Sequence, residues 1–502
     1  MNTEIDRGIR RGADGLLEYA AQESSIVDIL RRAVSRAPER EAIVVPGSAR
    51  LTYAELFDRA QALAQGLSAN GIRPGDRVGI DLPNGVEWVV AYWGGHLAGC
   101  AVVPLNSRLP DRDKASQIAH AQCAVVINDP ARLPIGSSQS SQPSAQPASI
   151  AEIVYTSGTT GTPKGVAMSH RSLWTAAENT RHMLIDAMPE VEGHRSLISV
   201  PLFHVTGCHS QLLATTHIAG TSIIMPAFDV GSLLTIIESE QINQLISVPT
   251  VYWRVAHHPA AASANTGSVT AALFGGAPVP PELAPLLRSL FPQASLVNGF
   301  GCTESTGVLT ALPNRFALSH AGAIGLPMPA VEIEIRNQDP TGAGELFARG
   351  ASMMAGYWNG TSADAPEDQW ISTGDLARRD QDGVLWIVDR LKDCISRGGE
   401  KVYCVEVENV LIGAPGVFEV AVIGVPDDEL GERVGVIVSP EPGGQVDPGK
   451  VSEFARESLP VFCRPEFIYV SPDPLPRNPS GKYLKPDLRR AVDWSKAHRP
   501  TR

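Results

Sequence analysis

The stretch "VYTSGTTGTPKGV", Val154 to Val166, holds three glycines, four threonines, one serine, one proline and one lysine. It follows the apolar run "SIAEI", which reads as a buried strand. Glycines let a backbone approach an anion closely and turn its N–H groups toward it. Ser157, Thr159 and Thr160 add hydroxyl donors, and Lys164 adds a positive charge. The common nucleotide triphosphatase loop, G-x-x-x-x-G-K-[ST], does not fit. Pro163 precedes the lysine, and Gly165 stands where a Ser or Thr would hold magnesium. The residue before a proline is also disfavoured in a helix, so no helix begins at Thr162. The stretch is read as a phosphate loop of a different kind.

Around this loop the chain alternates strand and helix patterns. "LTYAELFDRAQALAQGLSANG" places Leu56, Ala60, Leu63, Ala64 and Leu67 on one helical face. Thr52 and Glu55 form a T-x-x-E capping box before it, and Gly71 marks its end. "DRVGIDL", "CAVVPL", "LISVPLF", "TSIIMPA", "INQLISVP" and "VTAALFGGA" read as strands. This rhythm predicts an α/β fold with a large N-terminal domain of parallel-rich sheets covered by helices. After Ala330, "AVEIEIRN", "GELFARG" and "DGVLWIVDR" alternate like a small β-rich subdomain. The remainder predicts a small, mobile α+β C-terminal domain, with helices at 451–459 and 485–491. The boundaries read as 1–389, a charged hinge at 390–393, and 394–502. Residues 136–149, "GSSQSSQPSAQPAS", form a low-complexity tract expected at the surface.

Composition narrows the function. The chain has 502 residues, 42 basic and 54 acidic, for a formal net charge of −12. That argues against broad binding to nucleic acid or anionic membrane. The seven cysteines are scattered without a CxxC pair. This suits a reduced compartment rather than a disulfide framework. The first residues carry no apolar signal-peptide core, and no apolar run reaches membrane-spanning length. The expectation is a cytoplasmic protein.

With these residues in view, "YTSGTTGTPKG" resembles the signature of the adenylate-forming superfamily. That superfamily contains acyl- and aryl-CoA synthetases, peptide-synthetase adenylation domains and beetle luciferases. Further motifs follow in the family's order. The resemblance implies ATP and AMP contacts at Thr156, Ser157, Gly158, Thr159, Thr160, Gly161 and Lys164. It extends them to Gly276, Ala277 and Pro278 of "FGGAP" and to Asn298, Gly299, Phe300, Gly301 and Thr303 of "NGFGCTES". Phe300 replaces a common tyrosine and keeps an aromatic face for adenine. Glu304 is implied as the magnesium ligand. Asp375 and Arg390 are implied at the ribose, and Lys392 at the hinge. "PLFHVTG" implies His204 beside the reacting carboxylate. Thr206, Gly207, Val251, Gly276, Gly301 and Cys302 are implied with it around an acyl pocket. Ser396, Gly398 and Gly399 are implied along a thiol tunnel. Lys482 of "PSGKYLK" is implied between the substrate carboxylate and the α-phosphate, where a cation offsets the repulsion of two anions.

The implied reaction makes an acyl-adenylate and pyrophosphate from a carboxylic acid and ATP with Mg2+, then passes the acyl group to a thiol. CoA is the first acceptor implied. A carrier-protein phosphopantetheine arm and a small non-thiol nucleophile are the alternatives. Phe203 to Gly220 contains no Asp or Glu, so a cationic α-amino group would lack its partner. A simple carboxylic acid, aryl or medium-chain, is expected, acted on by a monomer or homodimer. A non-catalytic nucleotide-binding regulator would have lost Lys482, Glu304 or Lys164, and all three are present.

Overall fold

The computed structural model describes residues 8–500, except 22, 24, 130, 132–145, 157–162, 189–192, 278, 281, 365, 442 and 478–482. The chain forms two compact units. The first is residues 1–276, 281–333 and 347–371; the second is 277–280, 334–346 and 372–502.

The first unit holds two large mixed sheets. In the nine-stranded sheet, Ser295–Cys302, Ala271–Gly275, Gln244–Ser247, Arg195–Ile198, Thr221–Ile224 and Glu41–Val45 lie side by side, all in parallel. Antiparallel strands flank them on both edges. The parallel members are short apolar runs buried on both faces, which is what parallel sheets demand. In the seven-stranded sheet, Cys123–Ile127, Arg77–Ile80, Ala101–Pro104 and Ile150–Thr156 run parallel. Lys164–Ser169 then pairs antiparallel with Ile150–Thr156, and Gly356–Trp358 pairs antiparallel with Lys164–Ser169.

The helix Val86–Leu97 is buried along its whole circumference, with Trp88, Tyr92 and Trp93 among the least exposed large side chains. A helix apolar all round belongs inside a packed core rather than at its surface. Its neighbour Tyr53–Ala69 carries the expected capping box: Thr52 accepts from the Glu55 backbone N–H, and the Glu55 side chain accepts from the Thr52 N–H. The buried face is the expected one, Leu56, Ala60, Leu63, Ala64 and Leu67. Gly94 is fixed by this packing, since a Cβ there would fall 2.5 Å from a Leu63 methyl. Among the described residues, no helix is long and apolar enough to cross a membrane.

The second unit contains most of a four-stranded sheet, ordered Glu332–Arg336, Gly344–Arg349, Ile371–Arg379 and Leu385–Arg390. It also holds a five-stranded sheet around the long hairpin Glu419–Asp427 and Gly431–Ser439. Phe467–Val470 joins that hairpin in parallel. The helices Cys404–Leu411 and Pro448–Ser458 cover it. The helix expected at 485–491 forms as Lys485–Ala491. Most of the low-complexity tract lies outside the described residues. Its end, 146–149, forms a turn closed by Ser149 N–H on the Gln146 carbonyl.

The capping box is a local device with a measurable weight. Thr52→Ala removes one acceptor from the helix start and is expected to destabilise the first unit by about 1 kcal/mol. Thr52→Ser restores most of that. Urea denaturation of both variants, followed by tryptophan fluorescence, checks the pair.

Candidate active site

Strand Ile150–Thr156 ends directly before the glycine-rich loop, and Lys164–Ser169 begins directly after it, with Thr156 opposite Lys164. The loop therefore connects two paired strands, and no helix follows it. Ser157, Gly158, Thr159, Thr160 and Gly161 lie outside the described residues, as do Pro278 and Lys482. Lys164 is described. Its Nζ sits 4.9 Å from the ring centre of Tyr357, on the neighbouring strand Gly356–Trp358. The Tyr357 hydroxyl donates to Glu304 Oε1 at 3.0 Å. The tyrosine thus joins the lysine at the end of the glycine-rich loop to the carboxylate expected to bind metal. Burial, then the Glu304 charge, hold the Tyr357 phenol well above its ordinary pKa, so it stays a donor.

Glu304 lies in the short turn Thr303–Ser305, half-buried, and its backbone carbonyl accepts from Met354 N–H. One carboxylate oxygen is held by Tyr357. A fixed oxygen donor of this kind suits Mg2+, which is usually held by one or two carboxylates together with substrate phosphates.

The preceding strand, Ser295–Cys302, bends at a register shift between Phe300 and Gly301. Gly301 is required there, because a Cβ would fall 2.0 Å from the Gly307 carbonyl oxygen. Phe300 and Cys302 are half-buried and pack against the main core. Asn298 is buried, and its amide donates to the Ala323 carbonyl at 2.7 Å. Gly299 lies beside Gly275 on the next strand, and Gly276 follows with φ +74. Ala277 belongs to the second unit.

His204 caps the single turn Val205–Gly207, with its ring 4.6 Å from that of Phe203. The turn continues into a π-helical turn, Cys208–Leu213. Gly207 is buried, and a Cβ there would meet the Pro201 carbonyl at 2.4 Å. Its small size is therefore set by backbone approach. Thr206 is half-buried in the same turn. Val251 lies on the helix Pro249–Ala256.

In the second unit, Asp375 pairs with Arg390 across adjacent strands, Oδ1 to Nε 2.7 Å. Thr373 and Gly374, just before Asp375, lie inside the continuous strand Ile371–Arg379. Gly374 at φ +71 makes a local bend there. Ser396 is exposed, and its N–H donates to Glu432. Gly398 and Gly399, at φ +58 and +90, form the two-residue turn of a hairpin in which Arg397 faces Glu400. Positive φ at both central residues is the mirror-image turn that favours glycine.

The charged stretch 388–393 is less solvated than its composition suggests. Lys392 is exposed, but Asp389 and Asp393 are buried. Asp389 accepts from the N–H groups of Arg390 and Cys404. Asp393 accepts from Arg489 at 3.1 Å. Nearby, buried Lys485 pairs with Glu408 at 2.7 Å.

Sequence reasoning missed Tyr357, and it missed a buried pair in which His209 Nε2 lies 2.9 Å from Glu152 Oε2. Neither belongs to a motif with characteristic spacing.

Two outcomes test this geometry. Tyr357→Phe keeps the ring beside Lys164 and removes the bond to Glu304. We expect the apparent KM for MgATP to rise several-fold, on the order of one lost hydrogen bond to a charged group, with melting unchanged. Steady-state kinetics and thermal melting check this. Burial pushes the Asp389 carboxyl up to about 7, against the opposing pull of Lys485 and two backbone donors. An acid raised in the folded state favours the protonated form, so its stabilisation is present below the unfolded pKa and is lost as pH rises to about 7. Asp389→Asn is expected to flatten the pH dependence of stability across that window, measured by denaturation at pH 4 to 8.

The AMP-binding enzyme profile matches residues 30–358, and the profile of the AMP-binding enzyme C-terminal domain matches 406–482. The chain is 36% identical over 473 residues to a feruloyl-CoA synthase of Amycolatopsis sp, covering 88% of this chain and 94% of that protein. It is 32% identical over 499 residues to a long-chain-fatty-acid–CoA ligase of Mycobacterium tuberculosis, covering 92% and 97%. Its fold is similar to o-succinylbenzoate coenzyme A synthetase from Bacillus subtilis in complex with ATP and magnesium ion. The TM-score there is 0.82 at 28% identity, covering 92% of this chain and 99% of that one. Together with the two-unit α/β fold, these matches establish that the chain belongs to the AMP-binding enzyme family.

Proposed function

We propose that the protein is an AMP-forming ligase that activates a small carboxylic acid with ATP and transfers the acyl group to CoA. The observation that carries this reading is the convergence of Lys164, Tyr357 and Glu304 beside the strand pair that bears the glycine-rich loop. The CoA-ligase relatives support the acceptor.

In the first step a carboxylate oxygen attacks the α-phosphorus of ATP. The bond to the β-phosphate breaks, and pyrophosphate leaves. The loop and Lys164 hold the departing phosphates. Mg2+, when held by Glu304, neutralises phosphate charge. Asp375 has only acceptor oxygens when ionised, which suits a vicinal diol such as ribose. Arg390 holds that carboxylate in place. His204 and the small residues around it receive the acid. Lys482 is assigned to offset the repulsion between the two reacting anions, a role whose loss costs most in adenylation. In the second step the CoA thiol attacks the acyl carbon and AMP leaves. Ser396, Gly398 and Gly399 offer backbone that a pantetheine arm can pass closely. Segment 390–393 is the proposed hinge between the two half-reactions.

The acid is proposed to be aryl, of the arylpropenoic class, on the 36% identity to a feruloyl-CoA synthase.

A pyrophosphate-release screen over aryl, arylpropenoic and aliphatic acids, with and without CoA, tests the reading. Pyrophosphate release from an aryl acid, with AMP release accelerated by CoA, is expected. No release with any acid sinks the proposal. Release with AMP turnover indifferent to CoA, but stimulated by a phosphopantetheinylated carrier protein, reassigns the acceptor. Lys482→Ala is expected to cut adenylation by about 10²–10³-fold while sparing thiol transfer from supplied adenylate. Equal loss of both half-reactions contradicts its assigned role.

A further inference from the structure

His209 follows "PLFHVTGC" and is fully buried, as is Glu152. Its Nδ1 lies 2.7 Å from the Thr306 carbonyl oxygen. A carbonyl only accepts, so Nδ1 carries the hydrogen. Its Nε2 lies 2.9 Å from Glu152 Oε2. One ring thus bridges residues 57 and 97 positions away in the chain.

Both partners lie on elements that carry candidate site residues. Glu152 lies on Ile150–Thr156, the strand that leads into the glycine loop. Thr306 ends the turn that carries Glu304. It is buried at φ +62, a left-handed conformation that β-branched residues rarely adopt. Its own N–H donates back to Thr303 at 2.9 Å. The carbonyl of this constrained residue is the one His209 holds.

The contacts close a ring. From Glu152 the path runs along the strand to Thr156, across the pairing to Lys164, over the Tyr357 ring, through its hydroxyl to Glu304, and along the turn to Thr306. His209 returns it to Glu152. Every member lies in the first unit.

Cys208 adds a thiol, and Glu152, Cys208 and His209 place possible ligand atoms within 4.8 Å of one another. A metal there would have to displace a bond from an imidazole whose two nitrogens are both engaged. The hydrogen-bonded bridge accounts for the trio without an ion.

We propose that His209 is a positioning residue for adenylation: it clamps the Thr303–Thr306 turn, and with it Glu304, to the strand that delivers the phosphate loop. The proposal rests on the reading of Glu304 as the magnesium ligand. Its chemistry is mechanical. A carboxylate that meets a phosphate-bound metal must be held at a fixed offset from the loop that grips the phosphates, and misplacement by about 1 Å can cost on the order of 10²-fold.

Side-chain amides separate the two arms of the clamp. Asn at 209 reaches the Nδ1 position and keeps the bond to Thr306; Gln reaches the Nε2 position and keeps only Glu152. The measurement is Mn2+ binding to the full-length protein with α,β-methylene ATP, read from the loss of the free-ion electron paramagnetic resonance signal, alongside thermal melting. His209→Gln is expected to weaken Mn2+ binding about tenfold. His209→Asn, which breaks the Glu152 arm instead, is expected to weaken it by a similar factor. In Glu152→Gln the amide can donate to Nε2 while Nδ1–H keeps Thr306, so binding is expected to stay within about threefold of wild type. As a second readout, adenylation falls in His209→Gln while thiol transfer from supplied acyl-adenylate does not. Equal Mn2+ affinities for His209→Gln and wild type overturn the clamp, as does parallel loss of both half-reactions. Should His209→Gln fail to fold, His209→Asn takes its place: wild-type Mn2+ affinity in folded His209→Asn, or a tenfold loss in folded Glu152→Gln, overturns the clamp, and a loss in the first with retention in the second supports it. Glu304→Gln separates the underlying reading: if that variant binds Mn2+ like wild type, the ligand assignment fails; if it loses Mn2+ and His209→Gln does not, only the clamp fails.

Discussion

Glu152 has no access to water, and the interaction that makes its burial tolerable is with His209. Removing one partner of a buried pair of this kind typically costs about 3–5 kcal/mol, because the other is left uncompensated. Burial alone would pull the imidazole pKa down. The Glu152 charge, with the bonds to Glu152 and the Thr306 carbonyl, outweighs it and leaves the pKa raised. Both ring nitrogens are therefore suited to donate. Tyr92 and Cys208 crowd the same carboxylate, and burial followed by that charge keeps their protons on. Through the pair, the strand before the glycine-rich loop is joined to the turn that follows Glu304.

The glycine-rich loop is followed directly by a strand rather than a helix. Many phosphate loops depend on a helix N-terminus for orientation and partial positive charge. Here the strands on either side of the loop pair with each other, Thr156 opposite Lys164. Rigidity comes from the sheet, and positive charge from a lysine kept in place by an aromatic face. Pro163, which made a helix start unfavourable, is compatible with the extended backbone that a strand requires.

What the sequence revealed followed the range of the physics involved. The helix from Tyr53 was legible because its cap and its apolar face are written within a few turns. The parallel strands were legible because burial on both faces leaves continuous apolar runs. Glycines were visible, but not the local geometry that requires them: Gly398 and Gly399 make a hairpin turn, and Gly207 and Gly301 avoid backbone clashes. Tyr357 was invisible because its partner lies 53 residues away, in a strand that carries no motif. His209 was hidden by the better-known histidine five residues earlier. A buried polar network leaves no periodic trace, since its members need only meet in space.

The same logic bears on 388–393. Its charges read as part of a hinge, and two of them, Asp389 and Asp393, are buried. They are bonded to the start of one helix and to Arg489 of another. Lys485, buried against Glu408, keeps its charge because that carboxylate offsets the burial. Arg489 thus bonds the helix Lys485–Ala491 to Asp393, within the segment proposed as the hinge. A movement of 390–393 would act on that helix through this pair. Surface charges could not do this, because exposed pairs contribute little and exchange partners freely. The inward aspartates tie 388–393 to the start of Cys404–Leu411 and to Lys485–Ala491.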